Sequence, residues 1–160
     1  MVDDDLGWAL GVIFRSYVKH SSALTEDLPG GHRGYQVLTA ACADPPVNQS
    51  AIAQHLGIDR TVLTYLLDDL ERAGLIVREP APDDRRQRLI VATDGGRDRL
   101  AVLDSAFGRL ESHVLAGLPA ADRDTFRRLV GRVAAHLNGA DPVPNTCAAL
   151  ADIAAATPDH

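Results

Sequence analysis

A mainly α fold carrying one small β-hairpin is what this sequence predicts, and three observations lead there. Apolar residues recur at intervals of three and four over most of the chain, the period of one helical face. Only one pair of β-prone runs interrupts them, Leu75-Ile76-Val77 and Leu89-Ile90-Val91. Breakers at Pro29-Gly30-Gly31, Asp44-Pro45-Pro46 and Gly117-Leu118-Pro119 cut the rest into pieces of helix length. At 160 residues, with 46% hydrophobic and 24% charged, the chain has the size and balance of one folded domain.

Each element follows from local chemistry. Leu6, Leu10, Ile13, Phe14, Tyr17 and Val18 mark a first helix from Leu6 to Leu24. A short second helix holds Tyr35, Val37, Leu38 and Ala41. Pro46 to Gly74 then contains two helices joined tightly at Gly57, with Asn48 and Asp59 as side-chain caps for their orphan N–H groups. Past Gly74 the β-prone runs flank a polar loop from Glu79 to Gln87, which reads as a hairpin with a basic tip. Thr93 caps a helix bearing Leu100, Leu103, Phe107, Leu110 and Val114, and a last long helix runs from about Ala120 to Leu137. GADPVPN after that helix reads as a linker, and the alanine-rich remainder as one more short helix.

Charge narrows the possible partners. With 16 Lys and Arg against 22 Asp and Glu, the net charge of −6 excludes attachment to nucleic acid by bulk attraction. The acidic excess is spread evenly along the chain, so such a contact needs a local cluster, and Arg85, Arg86 and Arg88 at the hairpin tip supply one.

Two short helices joined at a glycine and followed by a two-stranded ribbon make a winged helix-turn-helix, whose second helix enters the major groove of duplex DNA. At 100° per residue, Val62, Leu63, Leu66, Leu67 and Leu70 fall on one side of that helix, and Arg60, Thr61 and Thr64 on the other. The outward set, with Tyr65, can meet base edges or phosphates, although any amphipathic helix shows a solvated face of this kind. The arginines at the ribbon tip suit a minor groove, and equally a solvated loop. The conjunction of both features in this order is what points to DNA.

The stretch from Gln49 to Gly96, above all LGIDRTVLTYLLDDLERAGLIVREPAPDDRRQRLIVATDGG, resembles the MarR family of bacterial transcriptional regulators. Its wing motif, an aspartate, any residue, an arginine, and a later threonine ahead of the next helix, is met by Asp84, Arg86 and Thr93. With the flanking helices, the resemblance covers about residues 6 to 138. It implies a homodimer whose terminal helices interlock and whose two wings read the halves of a palindromic operator. The sequence leads independently to the same pairing, because the long helices at both ends carry apolar stripes that one small wing region cannot cover. Half-sites about one turn apart, roughly 34 to 36 Å, then suit two recognition helices related by a two-fold axis.

The resemblance also implies roles for single residues. Groove contacts fall on Arg60, Thr61, Thr64 and Tyr65 and on Arg85 and Arg86, while Gln49 and Ser50 match positions that meet phosphate. Asp59 matches a residue that pairs with Arg86 and holds the wing, with a plain helix cap as its other role. The chain departs from the family at Tyr65 and Asp69, where arginine is frequent, and at Ala92, where leucine is usual.

Regulators of this kind commonly release DNA when a small, often aromatic or phenolic, molecule lodges between the dimer helices and the winged part. Trp8, Arg15, Tyr17, His20, His32 and Tyr35 are the residues placed to line such a crevice, or else to pack as dimer core. A thiol switch, known among relatives, is the second possibility. Cys42 has no cation beside it in sequence and reads as a buried structural thiol, and Cys147 follows the linker. Histidines 20, 32, 55, 113, 136 and 160 show no close pair in sequence, so no metal site and no cofactor are expected.

The sequence lacks a phosphate-binding glycine loop, a nucleophile elbow and a metal-protease helix, which argues against an enzyme. A winged-helix module that binds protein and not DNA is the remaining rival, supported by Asp68, Asp69 and Glu71. No signal peptide or membrane span is apparent, so a cytoplasmic location is expected. The organisation expected is N-terminal helices over 1–43, a winged region over 44–93, C-terminal dimerisation helices over 94–138 and a tail over 139–160.

Overall fold

The computed structural model describes residues 5–84 and 86–140. Six helices and a small sheet follow in the order α1 Leu6–Leu24, α2 His32–Ala41, β1 Val47–Asn48, α3 Gln49–Leu56, α4 Arg60–Arg72, β2 Ile76–Pro80, β3 Arg88–Ala92, α5 Asp94–Val114 and α6 Ala120–Ala140. The last helix runs slightly past its expected end. The short helix expected in the tail, and Cys147, lie outside the described residues.

Capping chemistry sets the helix starts. Asp5 accepts from the Trp8 N–H at 3.0 Å, Asn48 from Ala51 at 2.9 Å and Thr93 from Gly96 at 2.9 Å. Gly57 closes α3 in the left-handed conformation, at φ 59°, which a residue without Cβ adopts freely and which turns the chain sharply into α4.

The expected hairpin is one part of a three-stranded antiparallel sheet of order β1-β3-β2. β2 and β3 pair from Ile76 with Ala92 to Pro80 with Arg88, and Val47 and Asn48 pair with Ile90 and Leu89. The sheet thus ties the start of α3 to the wing.

One core joins these elements. Val37 and Leu38 of α2, Leu63, Leu67 and Leu70 of α4, and Ile90 of β3 are fully buried, with Leu103, Phe107 and Leu110 of α5 packed among them. Each side chain of this size contributes about 1.5–3 kcal/mol when taken from water. Val62, expected on the apolar side of α4, is 46% exposed, because it sits at the margin of the stripe where α4 turns toward solvent.

Two faces stay uncovered within one chain. α1 exposes Leu6, Leu10 and Phe14, and α6 exposes Leu129, Val130, Val133 and Leu137. No helix among the described residues is long and apolar enough to cross a membrane.

Candidate nucleic-acid interface

The site is assembled from three pieces of chain that contact one another through side chains. α4 buries Leu63, Leu66, Leu67 and Leu70 and so turns Arg60, Thr61, Thr64 and Tyr65 outward, Tyr65 to 69% exposure. Gln49, first residue of α3, donates its amide to the Thr64 hydroxyl at 2.7 Å, and Thr64 donates to the Arg60 carbonyl at 2.8 Å. Asn48 donates to the Gln87 side chain at 3.1 Å, which brings the wing down beside α3.

Asp84 builds the wing tip. Its carboxylate accepts the Arg86 N–H at 2.9 Å and its carbonyl accepts the Gln87 N–H at 2.9 Å, an Asx-type turn that presents Arg86 and Arg88 to solvent. Arg85 lies outside the described residues. Thr93 secures the wing's other end, donating its hydroxyl to the Gly74 carbonyl at 2.7 Å while capping α5. The aspartate and threonine of the wing motif are therefore the two fasteners of the ribbon.

Asp59 is a cap. Its carboxylate accepts from the N–H groups of Thr61 at 2.8 Å and Val62 at 3.2 Å, and no ion pair with Arg86 forms among the described residues. Of the two roles offered for Asp59, the described residues show the cap, made through one carboxylate oxygen.

The base of the wing is held instead by Arg78, a residue that sequence reasoning missed. It donates to Asp68 at 2.6 Å and to Glu71 at 2.5 Å, joining β2 to the back of α4. Asp69 pairs with Arg72 at 2.5 Å. The three acids that favoured a protein-binding module are thus engaged within the chain. Acids of α4 seven to ten residues before a strand arginine were the only signal available.

The result is a concave face of about 670 Å³ lined by Asn48, Gln49, Ser50, Arg60, Thr64, Arg86, Gln87 and Arg88. Three arginines and five polar side chains line it, and no carboxylate does among the described residues. Such a surface presents hydrogen-bond donors and positive charge to a polyanion.

The six candidate effector residues separate into groups. Tyr17, His32 and Tyr35 gather around Phe107, with Tyr35 stacked on Phe107 at 4.2 Å and His32 edge-on to Phe107 at 5.5 Å and to Tyr17 at 5.7 Å. The Tyr35 hydroxyl donates to Asp104 at 2.9 Å; burial, then this acceptor, pushes its pKa up to about 12. Burial lowers the pKa of His32, whose Nδ1 has no hydrogen-bond partner. Trp8 is 47% exposed and Arg15 is exposed, and neither joins this cluster. His20 turns to α5, where its ring lies 5.5 Å from that of His113, a pair that sequence spacing had not revealed. Cys42 is half-buried, and burial raises its thiol pKa, the opposite of what a reactive thiolate needs.

Comparison with known proteins agrees with this geometry. A model described as MarR family matches residues 33–87. A regulatory protein ascribed to the hcr operon of Thauera aromatica is 33% identical over 99 residues, a match spanning 62% of this chain and 60% of that relative's length. CouR from Rhodococcus jostii RHA1, solved bound to p-coumaroyl-CoA, is 29% identical with a TM-score of 0.72, over 84% of this chain and 94% of that one. CouR bound to a 23-mer DNA duplex is 30% identical with a TM-score of 0.72, over 83% and 94% of the two chains. On sequence, fold and the wing's construction, this chain belongs to the MarR family of winged-helix transcriptional regulators.

Proposed function

We propose that this regulator is a homodimeric repressor that reads a palindromic operator through residues 44–93 and is released by a small aromatic or phenolic effector. The observation that carries the DNA-binding part is the groove between α3, α4 and the wing, lined by no carboxylate among the described residues, in a chain of net charge −6. Gln49 and Ser50 meet phosphate, Arg60, Thr61, Thr64 and Tyr65 face base edges in the major groove, and Arg86 and Arg88, with Arg85, reach the adjacent minor groove. CouR's duplex-bound form supports this reading.

The uncovered faces of α1 and α6 support the dimer, since a second copy buries both and sets the two α4 helices on one side of a duplex. For the effector, the ligand of CouR supports an aromatic acyl class. Tyr17, His32 and Tyr35 stand where such a ring packs, and an apolar groove of about 660 Å³ opens beside Tyr35 between α2 and α3. A ligand there acts by preferring one arrangement of α2 against α3 over the other. A cytoplasmic location goes with this role.

The test is selection of duplexes from a random pool by the purified protein, followed by titration of the winner. An inverted repeat with half-sites one helical turn apart is expected, with binding that weakens steeply as salt rises. An unenriched pool, or retention indifferent to salt, overturns the proposal.

A further inference from the structure

On the face where α1 crosses α5, a second crevice of about 570 Å³ is lined by Lys19, His20, Ala23, Leu24, Ala106, Arg109, Leu110 and His113. Its floor is apolar, from Ala23, Leu24, Ala106 and Leu110, and its rim carries four nitrogen-bearing cationic or protonatable groups and no acid. The two imidazole rings lie 5.5 Å apart, tilted by 58°, so the rim converges.

Two other charged residues of α5 are paired with side chains of α6 or of the turn after α1. Arg99, two turns earlier and more, meets Asp27 at 2.5 Å, and Glu111 on another face of α5 holds Arg127 of α6. Lys19 and Arg109 form no ion pair among the described residues. Both are exposed on one rim with no carboxylate among its described lining residues, which leaves their positive charge available to an anion. An apolar floor beneath a cationic rim matches a molecule with an anionic head and an apolar body, and the volume falls within the range of small-molecule sites.

We infer that the α1–α5 crevice is a binding site for an amphipathic anion, a phosphate or carboxylate on an apolar chain. The head lies between Lys19 and Arg109, with His113 donating to it and the His20 ring, whose Nδ1 donates to the Ser16 carbonyl at 2.7 Å, packed beside it, and the chain lies on Leu24 and Leu110. Arginine takes either head in a two-pronged hydrogen-bonded pair, but a phosphate monoester carries about −1.5 to −2 of charge and a third acceptor oxygen, so it binds more tightly than a carboxylate. The site is separate from the DNA-facing groove and from the aromatic cluster around Phe107, and it stands whether or not the reading proposed above does.

Calorimetric titration of the full chain with octyl phosphate, octanoate, 1-octanol and inorganic phosphate tests this. Octyl phosphate is expected to bind best, octanoate next, and the alcohol and inorganic phosphate far more weakly. The double substitution Lys19→Gln, Arg109→Gln is expected to weaken octyl phosphate about tenfold or more. Arg128→Gln, Arg132→Gln, which removes the same charge from exposed positions of α6, is expected to leave it unchanged. Circular dichroism of each variant verifies folding, and should the Lys19, Arg109 variant unfold, His20→Gln, His113→Gln replaces it with the same expectation of weakened binding. Equal binding of 1-octanol or of inorganic phosphate, an unaffected crevice variant, or an equal loss in the α6 control overturns the inference.

Discussion

Gln49 donates its side-chain amide to the Thr64 hydroxyl at 2.7 Å, so the first residue of α3 fixes the rotamer of a residue on the outward row of α4. Both residues are at the surface, and the bond positions far more than it stabilises. Gln49→Ala is expected to change stability by less than about 0.5 kcal/mol. DNA affinity should fall by about 0.5–1.5 kcal/mol, roughly two- to twelvefold in Kd, once Thr64 is free to turn. Thermal melts beside fluorescence anisotropy on a selected duplex separate the two quantities.

Arg86 should behave as a phosphate or minor-groove contact. Arg86→Ala is expected to weaken DNA binding with unchanged folding, and to reduce the slope of log affinity against log salt by about one per site. Anisotropy titrations at several salt concentrations read both, and an unchanged slope counts against the wing's contact with DNA.

The exposed row on α6 predicts how the proposed dimer fails. Val133 and Leu137, 60% and 57% exposed in the single chain, are expected to lie within the dimer seam. Val133→Glu should shift the protein to monomer in sedimentation velocity and abolish cooperative binding to a two-half-site duplex. A dimer that persists with Val133→Glu and Leu137→Glu combined places the seam elsewhere.

Two glycines predict opposite outcomes. A Cβ at Gly96 would be driven into the Leu75 carbonyl, backbone that cannot step aside, so Gly96→Ala should cost about 1–3 kcal/mol. Gly108, also in α5, has nothing within 4 Å of such an atom, and Gly108→Ala should add about 1 kcal/mol through helix propensity alone. Chemical denaturation measures both.

The aromatic cluster predicts stability loss at both ends of the pH scale. Burial lowers the pKa of His32 below the ordinary 6.5, so on acidification the unfolded chain takes up the proton first. Stability is therefore full above about pH 6.5 and falls below it, and His32→Phe should flatten that fall. Tyr35 is raised from 10.0 to about 12, so between those values the unfolded chain ionises while the folded one does not. Stability should drop across that window, and Tyr35→Phe should remove its share of the drop. Denaturation at stepped pH reads each slope.

Much of this molecule was legible because its signals are local. The caps Asn48, Asp59 and Thr93 act on amides two or three residues away, and the leucine stripe of α4 needs only the helical period. What was not legible depends on distant partners. β1 is two residues long, too short to show a period, and exists because β3 pairs with it. Arg78 looked like any polar strand residue until folding brought Asp68 and Glu71 beneath it. His20 and His113 meet only because α1 packs along α5. Within the candidate interface, residue identities were readable, whereas the Gln49 and Asn48 ties that orient them were not.

Because Asp59 caps α4, and a neutral amide pair joins Asn48 to Gln87, Arg86 reaches the surface with no ion pair among the described residues. On the proposed reading, no bridge among the described residues has to break before it displaces counterions from a duplex. Any stretch of chromosome, matching or not, would then feel the same pull from the ribbon, and discrimination would fall to the hydroxyls and Arg60 of the neighbouring helix. A protein so arranged would scan by attraction at one element and halt by fit at the other.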